Sequence, residues 1–312
     1  MRVIFMGTPD FAVGTLEAIV AAGHEVVLAV TQPDKPKGRG KAVQYPPVKE
    51  AALKHGIEVY QPKRIREPEC IAFLKQFDPD IMIVAAFGQI LTKEILEMPK
   101  YGCVNVHASL LPKYRGAAPI QWAVINGDKV TGVTTMRMDV GIDTGDMIDT
   151  AEIELTEDET GGSLFKRLTD AGAKLCVETM EKIEAGTAVY RKQNEAEATH
   201  TTMIQKKLGK LNWNLEAVAL ERLIRGLNPW PSAYTQLDGK NLKIWKASII
   251  EGGDAAKAGC IVKAAGTQLW VQTGADILSL DEVQLEGKKR MAAADFLRGY
   301  EIPEGSYLTE EE

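Results

Sequence analysis

Two polar residues alternate with valines in one short segment, and both carry groups that can bind or move a proton. The segment reads Val104-Asn105-Val106-His107. Because side chains on a strand alternate between its faces, a strand here places Asn105 and His107 together on one face. An amide donates hydrogen bonds, and an imidazole exchanges a proton near neutral pH. The pattern indicates a polar ligand site, although a histidine taken alone is more often structural.

Asp143 is the third candidate, and it lies in a glycine-containing segment after the next predicted strand. Gly141 and Gly145 flank it within residues 138–146. Glycines allow a tight loop that brings a carboxylate close to a ligand. The aspartates of this segment can instead be turn formers, and that alternative stays open. A calcium loop is disfavoured because the bidentate glutamate is missing.

The surrounding sequence alternates between short apolar runs and helical stretches. Strands are predicted at 3–6, 26–31, 81–85, 104–107 and 131–138, and helices at 11–22, 48–55, 67–76, 118–126 and 160–185. This rhythm predicts an α/β fold, a Rossmann-like, mostly parallel sheet with helices on both faces. The turn Gly7-Thr8-Pro9-Asp10 lacks the Gly-x-Gly-x-x-Gly fingerprint, which removes the main support for a dinucleotide site.

The pattern changes after Gly186, where a polar stretch without periodicity begins. We predict a catalytic domain at 1–188, a linker at 189–206 and a C-terminal domain at 207–312. The last of these contains one helix at 215–226 and several short strands, with a hairpin turn at Asp238-Gly239. Short strands and glycine-rich turns predict a small, OB-like β-barrel.

Composition places the chain among ordinary globular proteins. Apolar residues make up 45% and charged residues 26% of its 312 residues. The longest apolar run is far shorter than the roughly 20 residues of a membrane span, and the N-terminus does not resemble a signal peptide. Four scattered cysteines predict neither structural zinc nor disulfides, so we expect a cytoplasmic protein without a metal. Nothing indicates an obligate partner subunit, and we expect a monomer.

The motifs together resemble those of the folate-dependent formyltransferases, and the similarity extends over nearly the whole chain. The matching segments are Gly7–Phe11, Gln32–Asp34, Gly38–Lys41, Asn105-x-His107, Ser109–Pro112, Arg115-Gly116, the Asp143 loop, Asn228–Pro231 and the segment around Trp245. The resemblance implies transfer of a formyl group from 10-formyltetrahydrofolate to an amine, by direct attack through a tetrahedral intermediate.

Site residues follow from the same resemblance. Asn105, His107 and Asp143 match the family's catalytic trio. The resemblance implies no metal and no covalent enzyme intermediate, and it does not assign the general base. The residues that match the folate-binding positions are Ser109, Leu110, Leu111, Pro112, Phe87, Gly88, Ile90, Leu91 and Val140.

A basic segment between Pro33 and Pro47 bears on the acceptor. It carries Lys35, Lys37, Arg39 and Lys41, and long loops inside compact domains are often functional. A solvated basic loop without a partner is the alternative. In the family that the chain resembles, this loop enters the acceptor arm of initiator tRNA, which implies a methionyl-initiator tRNA as the formyl acceptor. Arg39 and Lys41 are the expected contacts, with Lys206, Lys207 and the C-terminal barrel adding others.

Three other functions fit parts of the pattern. A formyltransferase acting on a small amine would share the trio but would need neither the basic loop nor the barrel. A hydrolase of formyl-folate would use the same trio with water as the acceptor. A non-catalytic RNA-binding module would have no use for an intact Asn105, His107 and Asp143.

Overall fold

The computed structural model describes residues 1–37, 42–253 and 256–308. The α-helices in these residues are α1 (Asp10–Ala21), α2 (Pro47–Lys54), α3 (Pro68–Lys75), α4 (Lys93–Leu96), α5 (Pro119–Ile125), α6 (Gly161–Glu184), α7 (Ala217–Gly226) and α8 (Ala293–Gly299). Short 3-10 helices cover Glu195–Glu197 and Lys206–Gly209. No helix of the described part of the chain is long and apolar enough to cross a membrane.

The strands are mostly short. They are β1 (Arg2–Gly7), β2 (Glu25–Val30), β3 (Lys35–Lys37), β4 (Ala42–Gln44), β5 (Val59–Tyr60), β6 (Ile81–Ala85), β7 (Cys103–His107), β8 (Arg115–Gly116), β9 (Val130–Arg137), β10 (Met147–Glu154), β11 (His200–Thr201), β12 (Ala233–Leu237), β13 (Lys240–Ile250), β14 (Ile261–Ala265), β15 (Gln268–Gln272), β16 (Ile277–Leu285) and β17 (Met291–Ala292).

The chain forms two compact units. The first consists of Met1–Pro119, Val130–Glu154 and Phe165–Thr201. The second consists of Ile120–Lys129, Leu155–Leu164 and the described residues from Thr202 onward.

A seven-stranded sheet forms the centre of the first unit, in the order β10-β9-β7-β6-β1-β2-β5. The five strands from β7 to β5 run parallel, while β9 and β10 are antiparallel to their neighbours. Every residue of β6 and of β7 is buried, as expected for strands covered on both faces. The predicted mostly parallel α/β sheet is confirmed.

Strand β7 alternates as the sequence predicts. A methyl group added at Gly172 of α6 would lie 3.1 Å from Cγ1 of Val106, so this valine packs directly under that helix. The side chains at Asn105 and His107 therefore leave β7 on the opposite side from α6. Packing of the valine thus holds two polar groups in place on the other face.

The first unit also contains short elements that were not predicted from the sequence. The basic loop forms a small hairpin at its described ends, because β3 pairs with β4. Strand β10 follows the loop that contains Gly141 and Gly145 and pairs with β9, although no strand was predicted there. The polar stretch after α6 includes β11, which runs parallel to β8.

The second unit contains an antiparallel sheet in the order β12-β13-β16-β15-β14, with β17 on β16. Asp238 and Gly239 both have positive φ, at 50° and 71°, and form the turn between β12 and β13. This is the turn geometry that the Asp-Gly pair favours. The sequence predicted a small, OB-like β-barrel with one helix here, and a C-terminal domain built on an antiparallel sheet is confirmed.

Candidate active site

Asn105 and His107 lie at the end of β7, where the parallel strands finish together. Gly7 at the end of β1 pairs with Ala85 at the end of β6, and Val84 of β6 pairs with Asn105. Both polar side chains are buried, at 9% and 7% exposure. Open α/β sheets bind ligands beyond the carboxyl ends of their strands, so the two side chains occupy a position suited to a ligand.

Asp143 reaches these residues from the loop between β9 and β10. Its backbone has a φ of 54°, a conformation that aspartate tolerates better than most residues. The Asn105 amide Nδ2 donates to Oδ1 of Asp143 over 3.2 Å, and the Gly116 backbone N–H donates to Oδ2 over 2.8 Å. The carboxylate is therefore held at both oxygens.

His107 is oriented by a backbone carbonyl. Its Nε2 atom lies 2.9 Å from the carbonyl oxygen of Tyr114. A carbonyl oxygen only accepts, so Nε2 carries the hydrogen and donates it. In the neutral ring Nδ1 is then unprotonated, and it lies 3.7 Å from Oδ2 of Asp143. That distance is too long for a direct hydrogen bond.

The segment after β7 is also fixed by polar contacts. The Ser109 hydroxyl donates to the carbonyl of Lys113 over 2.6 Å. Thr134 of β9 donates its hydroxyl to the Ser109 carbonyl and accepts from the Leu111 N–H. The Leu111–Pro112 peptide bond is cis. Ser109, Leu111 and Pro112 are buried and Leu110 is partly buried, so the loop beside His107 is held in a defined conformation.

The remaining positions matched to folate binding divide into two groups. Phe87 and Leu91 pack in the hydrophobic core of the first unit. Ile90 and Val140 are largely exposed, at 74% and 71%, and Gly88 is exposed with a φ of 82°. The exposed group can contact a ligand directly, whereas Phe87 and Leu91 can only support the turn that carries Gly88 and Ile90.

The sequence did not identify a buried charged group beside the trio. Arg115 is only 1% exposed, and its guanidinium donates to both carboxylate oxygens of Glu195, over 2.9 and 2.6 Å. Its Nε donates to the side-chain oxygen of Gln193 over 3.0 Å. The hydrogen bond to Glu195 raises the pKa of Arg115, and the same bond lowers the pKa of Glu195. In the sequence, Arg115 was noted only as part of an Arg-Gly motif, and nothing in that motif indicated Glu195 as its partner.

A second polar network fixes the base of the basic hairpin. Lys49 donates to Asp34 over 2.6 Å and to Gln61 over 2.8 Å. Gln61 in turn donates to the other oxygen of Asp34 over 2.8 Å. The hydrogen bond from Lys49, followed by that from Gln61, lowers the pKa of Asp34. Together these contacts tie the segment entering β3 to helix α2.

The four residues expected to contact tRNA divide into two pairs. Arg39 and Lys41 lie outside the described residues. Lys206 and Lys207 are exposed in a 3-10 helix of the second unit. Nowhere in residues 1–37, 42–253 and 256–308 do three His, Cys, Asp or Glu side chains come together as metal ligands would.

The geometry suits transfer of a proton next to a polarised carbonyl. Asn105 uses one amide hydrogen for Asp143, and the second is free to donate to a developing oxyanion. The unprotonated Nδ1 of His107 can accept a proton, and the Asp143 carboxylate can stabilise the imidazolium that results. The arrangement therefore fits acyl transfer to an amine.

Comparison with known proteins agrees with this chemistry. The formyl transferase family matches residues 1–180, and the formyl transferase C-terminal domain matches residues 203–301. A methionyl-tRNA formyltransferase of Agathobacter rectalis is 67% identical over 309 residues, covering 99% of this chain and 100% of that protein. One from Lachnospira eligens is 53% identical over 315 residues, with coverage of 99% and 100%.

A solved structure shares the fold at much lower identity. The N-formyltransferase from Helicobacter canadensis, in complex with folinic acid and dTDP-3-aminofucose, superposes with a TM-score of 0.64 at 19% identity. The match covers 90% of this chain and 99% of that one. Two matching domains and relatives of equal length at high identity establish the family. The chain belongs to the formyl transferase family, within the group of the methionyl-tRNA formyltransferases.

Proposed function

We propose that this protein transfers the formyl group of 10-formyltetrahydrofolate to the amino group of methionyl-initiator tRNA. The product is N-formylmethionyl-tRNA, which serves translation initiation. The observation that carries the proposal is the 67% identity to a methionyl-tRNA formyltransferase over 99% of the chain. The contacts among Asn105, His107 and Asp143 supply a chemical basis for the same reaction.

The fold alone does not select the acceptor. The N-formyltransferase from Helicobacter canadensis, solved in complex with dTDP-3-aminofucose, has a similar fold over 90% of this chain, so neither the parallel sheet nor the second unit implies a tRNA. The support comes instead from identity across the full length and from the basic hairpin between Asp34 and Tyr45. Lysines and arginines in such a loop suit the phosphates of an acceptor arm.

The folate would bind beside β7, on the turn after β6. Ile90 and Val140 offer exposed apolar surface, and the exposed Gly88 would let a pterin ring approach its backbone. Ser109, Leu110, Leu111 and Pro112 would form the other side. We assign Phe87 and Leu91 a supporting role, because their side chains belong to the core.

Catalysis begins when the amine attacks the formyl carbon. The new C–N bond creates a tetrahedral intermediate with a negatively charged oxygen, and the free hydrogen of Asn105 Nδ2 donates to that oxygen. Removing one such donor typically costs about 10²–10³ in rate. The intermediate collapses when the bond to the folate nitrogen breaks.

One proton must move from the attacking amine to the folate nitrogen, and His107 carries it. His107 Nδ1 accepts it from the attacking nitrogen, since Nε2 is occupied by the hydrogen bond to the Tyr114 carbonyl. Asp143, 3.7 Å away, stabilises the imidazolium. The same nitrogen then delivers the proton to the departing folate nitrogen. We therefore assign His107 as the general base and Asp143 as its electrostatic partner.

Arg39 and Lys41 would contact the acceptor arm, and Lys206 and Lys207 would contact the stem together with a tRNA-binding C-terminal domain at 207–312. Residues 1–188 would form the catalytic domain and 189–206 the linker. We propose that the protein acts as a monomer in the cytoplasm, where charged tRNA and reduced folates are available.

One experiment separates the possible acceptors. The purified protein is incubated with 10-formyltetrahydrofolate and either methionyl-initiator tRNA, glycinamide ribonucleotide, an amino sugar or no acceptor. We expect formylation of the tRNA at a kcat/KM far above that for either small amine. Formylation of a small amine but not of the tRNA would overturn the acceptor, and rapid formate release without an acceptor would indicate a hydrolase.

A further inference from the structure

Arg115 sits between two backbone groups that hold the catalytic side chains. The residue before it, Tyr114, accepts the hydrogen bond from His107 Nε2 over 2.9 Å. The residue after it, Gly116, donates its N–H to Asp143 over 2.8 Å. One three-residue segment thus fixes the ring orientation of His107 and one oxygen of Asp143.

The side chain of Arg115 is held from outside this segment. Glu195 binds the guanidinium through both carboxylate oxygens, a fork geometry that adds orientation as well as energy. Gln193 accepts from Nε over 3.0 Å and donates to the carbonyls of Asp143 and Gly145, each over 2.8 Å. Gln193 therefore contacts both Arg115 and the loop that carries Asp143.

The backbone of the same polar stretch is attached to the segment as well. We call residues 193–201 the strap. Thr199 accepts from the Arg115 N–H at its carbonyl and from the Tyr114 N–H at its hydroxyl, each over 2.8 Å. Its own N–H donates to the carbonyl of Pro112 over 3.2 Å. Thr201 donates its hydroxyl to the Arg115 carbonyl over 3.2 Å.

Close packing prevents this attachment from being loose. Gly116 has a φ of 99°, and a methyl group added there would lie 2.6 Å from the carbonyl oxygen of Thr201. Only glycine allows strand β8 to approach β11 this closely. The Tyr114 backbone, with a φ of 60°, is held in a conformation that is uncommon for a tyrosine.

We propose that Arg115 is a positioning residue for formyl transfer, and that the strap holds it through Glu195 and Gln193. The hydrogen bonds of its guanidinium to the strap keep the backbone on either side of Arg115 in place. His107 then keeps the Nε2–H tautomer, and the 3.7 Å separation between its Nδ1 and Asp143 is maintained. This inference rests on the proposed function for its kinetic consequence. Its structural consequence, the orientation and tautomer of His107, is independent of any substrate.

The test uses the full chain with three substitutions. Glu195→Gln removes one half of the fork at a side chain that is 73% exposed, so the fold is retained. Arg115→Met removes the charge and fork from the buried partner. Glu25→Gln is the matched control, since Glu25 forms a similar two-oxygen pair with Arg2 in the first unit and is also largely exposed.

Two measurements are made on each variant. The first is kcat and KM for both substrates; the second is the ¹⁵N spectrum of the His107 imidazole without substrate. We expect Glu195→Gln and Arg115→Met to lower kcat by about 10- to 100-fold with little change in KM, as misplaced catalytic groups do. The His107 signals should move away from the Nε2–H tautomer, and Glu25→Gln should match the parent in both measurements.

The inference is overturned if Glu195→Gln retains the parental kcat and His107 spectrum. If Arg115→Met fails to fold, Glu195→Gln alone decides. If the parent protein formylates nothing, the proposed function fails, and the ¹⁵N measurement still tests the positioning of His107.

Discussion

His107 Nδ1 lies 3.7 Å from Asp143 Oδ2, while the other nitrogen of the same ring donates to the Tyr114 carbonyl. The carbonyl fixes the neutral tautomer, and the gap leaves Nδ1 without a direct hydrogen bond to the carboxylate. A charged pair would form only when Nδ1 accepts a proton. This relationship makes the imidazole a base whose protonated form is stabilised by a carboxylate already in place.

Replacement of His107 by alanine should remove the proton acceptor. We expect His107→Ala to lower kcat by about 10²–10⁴, the range associated with general acid–base catalysis. Single-turnover formylation measures the rate, and thermal unfolding checks the fold. His55→Ala is the control, because His55 contacts Glu17 at the surface. Equal rates in both variants would contradict the role assigned to His107.

Asn105 should act on the rate rather than on substrate affinity. Because its amide is proposed to donate to an oxygen that becomes charged only during the reaction, Asn105→Ala should lower kcat by about 10²–10³. KM for both substrates should change little. Steady-state kinetics at saturating folate checks this, with Asn241→Ala of the second unit as the control. A raised KM with normal kcat would assign Asn105 to binding instead.

The basic hairpin should affect the tRNA and not the folate. Arg39→Ala and Lys41→Ala should each weaken tRNA binding, and each should reduce the slope of log K against log salt by about 1 for a lost phosphate contact. Folate binding should be unchanged. Filter binding at a series of salt concentrations measures the slope.

The control for the hairpin is Lys174→Ala. This lysine is exposed on helix α6 and pairs with Glu178, so its loss removes one positive charge from the same unit. Identical slopes for Arg39→Ala, Lys174→Ala and the parent protein would count against a phosphate contact at Arg39.

The network at the base of the hairpin predicts a pH-dependent stability. The pKa of Asp34 lies below its ordinary value of 3.8 in the folded protein, chiefly because of Lys49. A carboxyl with a lowered folded pKa stabilises the fold above its ordinary pKa, and this contribution is lost as the pH falls through the folded value. Lys49→Met should therefore be less stable than the parent near pH 6, and the difference should shrink below pH 3.8.

Urea unfolding at several pH values measures this difference. Lys93→Met serves as the control, since Lys93 and its partner Glu97 are both well exposed and exposed pairs contribute little. A difference between Lys49→Met and the parent that stays constant down to low pH would show that Asp34 is not the group responsible.

The sequence predicted those parts of the fold whose signal is local. The strands from 81 to 85 and from 104 to 107, and the face shared by Asn105 and His107, follow from apolar runs and a period of two. Asp143 could be tied to them only through the family resemblance, since its contact with Asn105 spans 38 residues. The hairpin turn at Asp238-Gly239 could likewise be predicted from the sequence, because the Asp-Gly pair favours it.

The strap could not be predicted in the same way. Strands β8 and β11 contain two residues each, too few for any periodicity. Arg115, His200 and Thr201 are polar, and the hydrogen bond between Tyr114 and Thr199 joins positions 85 apart. The strap has the amino-acid composition of a linker, and only its three-dimensional contacts distinguish it from one.

The pairing of β8 with β11 bears on how such enzymes can be recombined. The first compact unit extends through Thr201, and residues 193–201 complete the surroundings of His107 and Asp143. A chimera joined after residue 201 would keep the whole first compact unit from one parent. A chimera joined near residue 188 would replace Gln193, Glu195 and Thr199 by the residues of a different parent. Its Arg115 would then lie against residues from that parent.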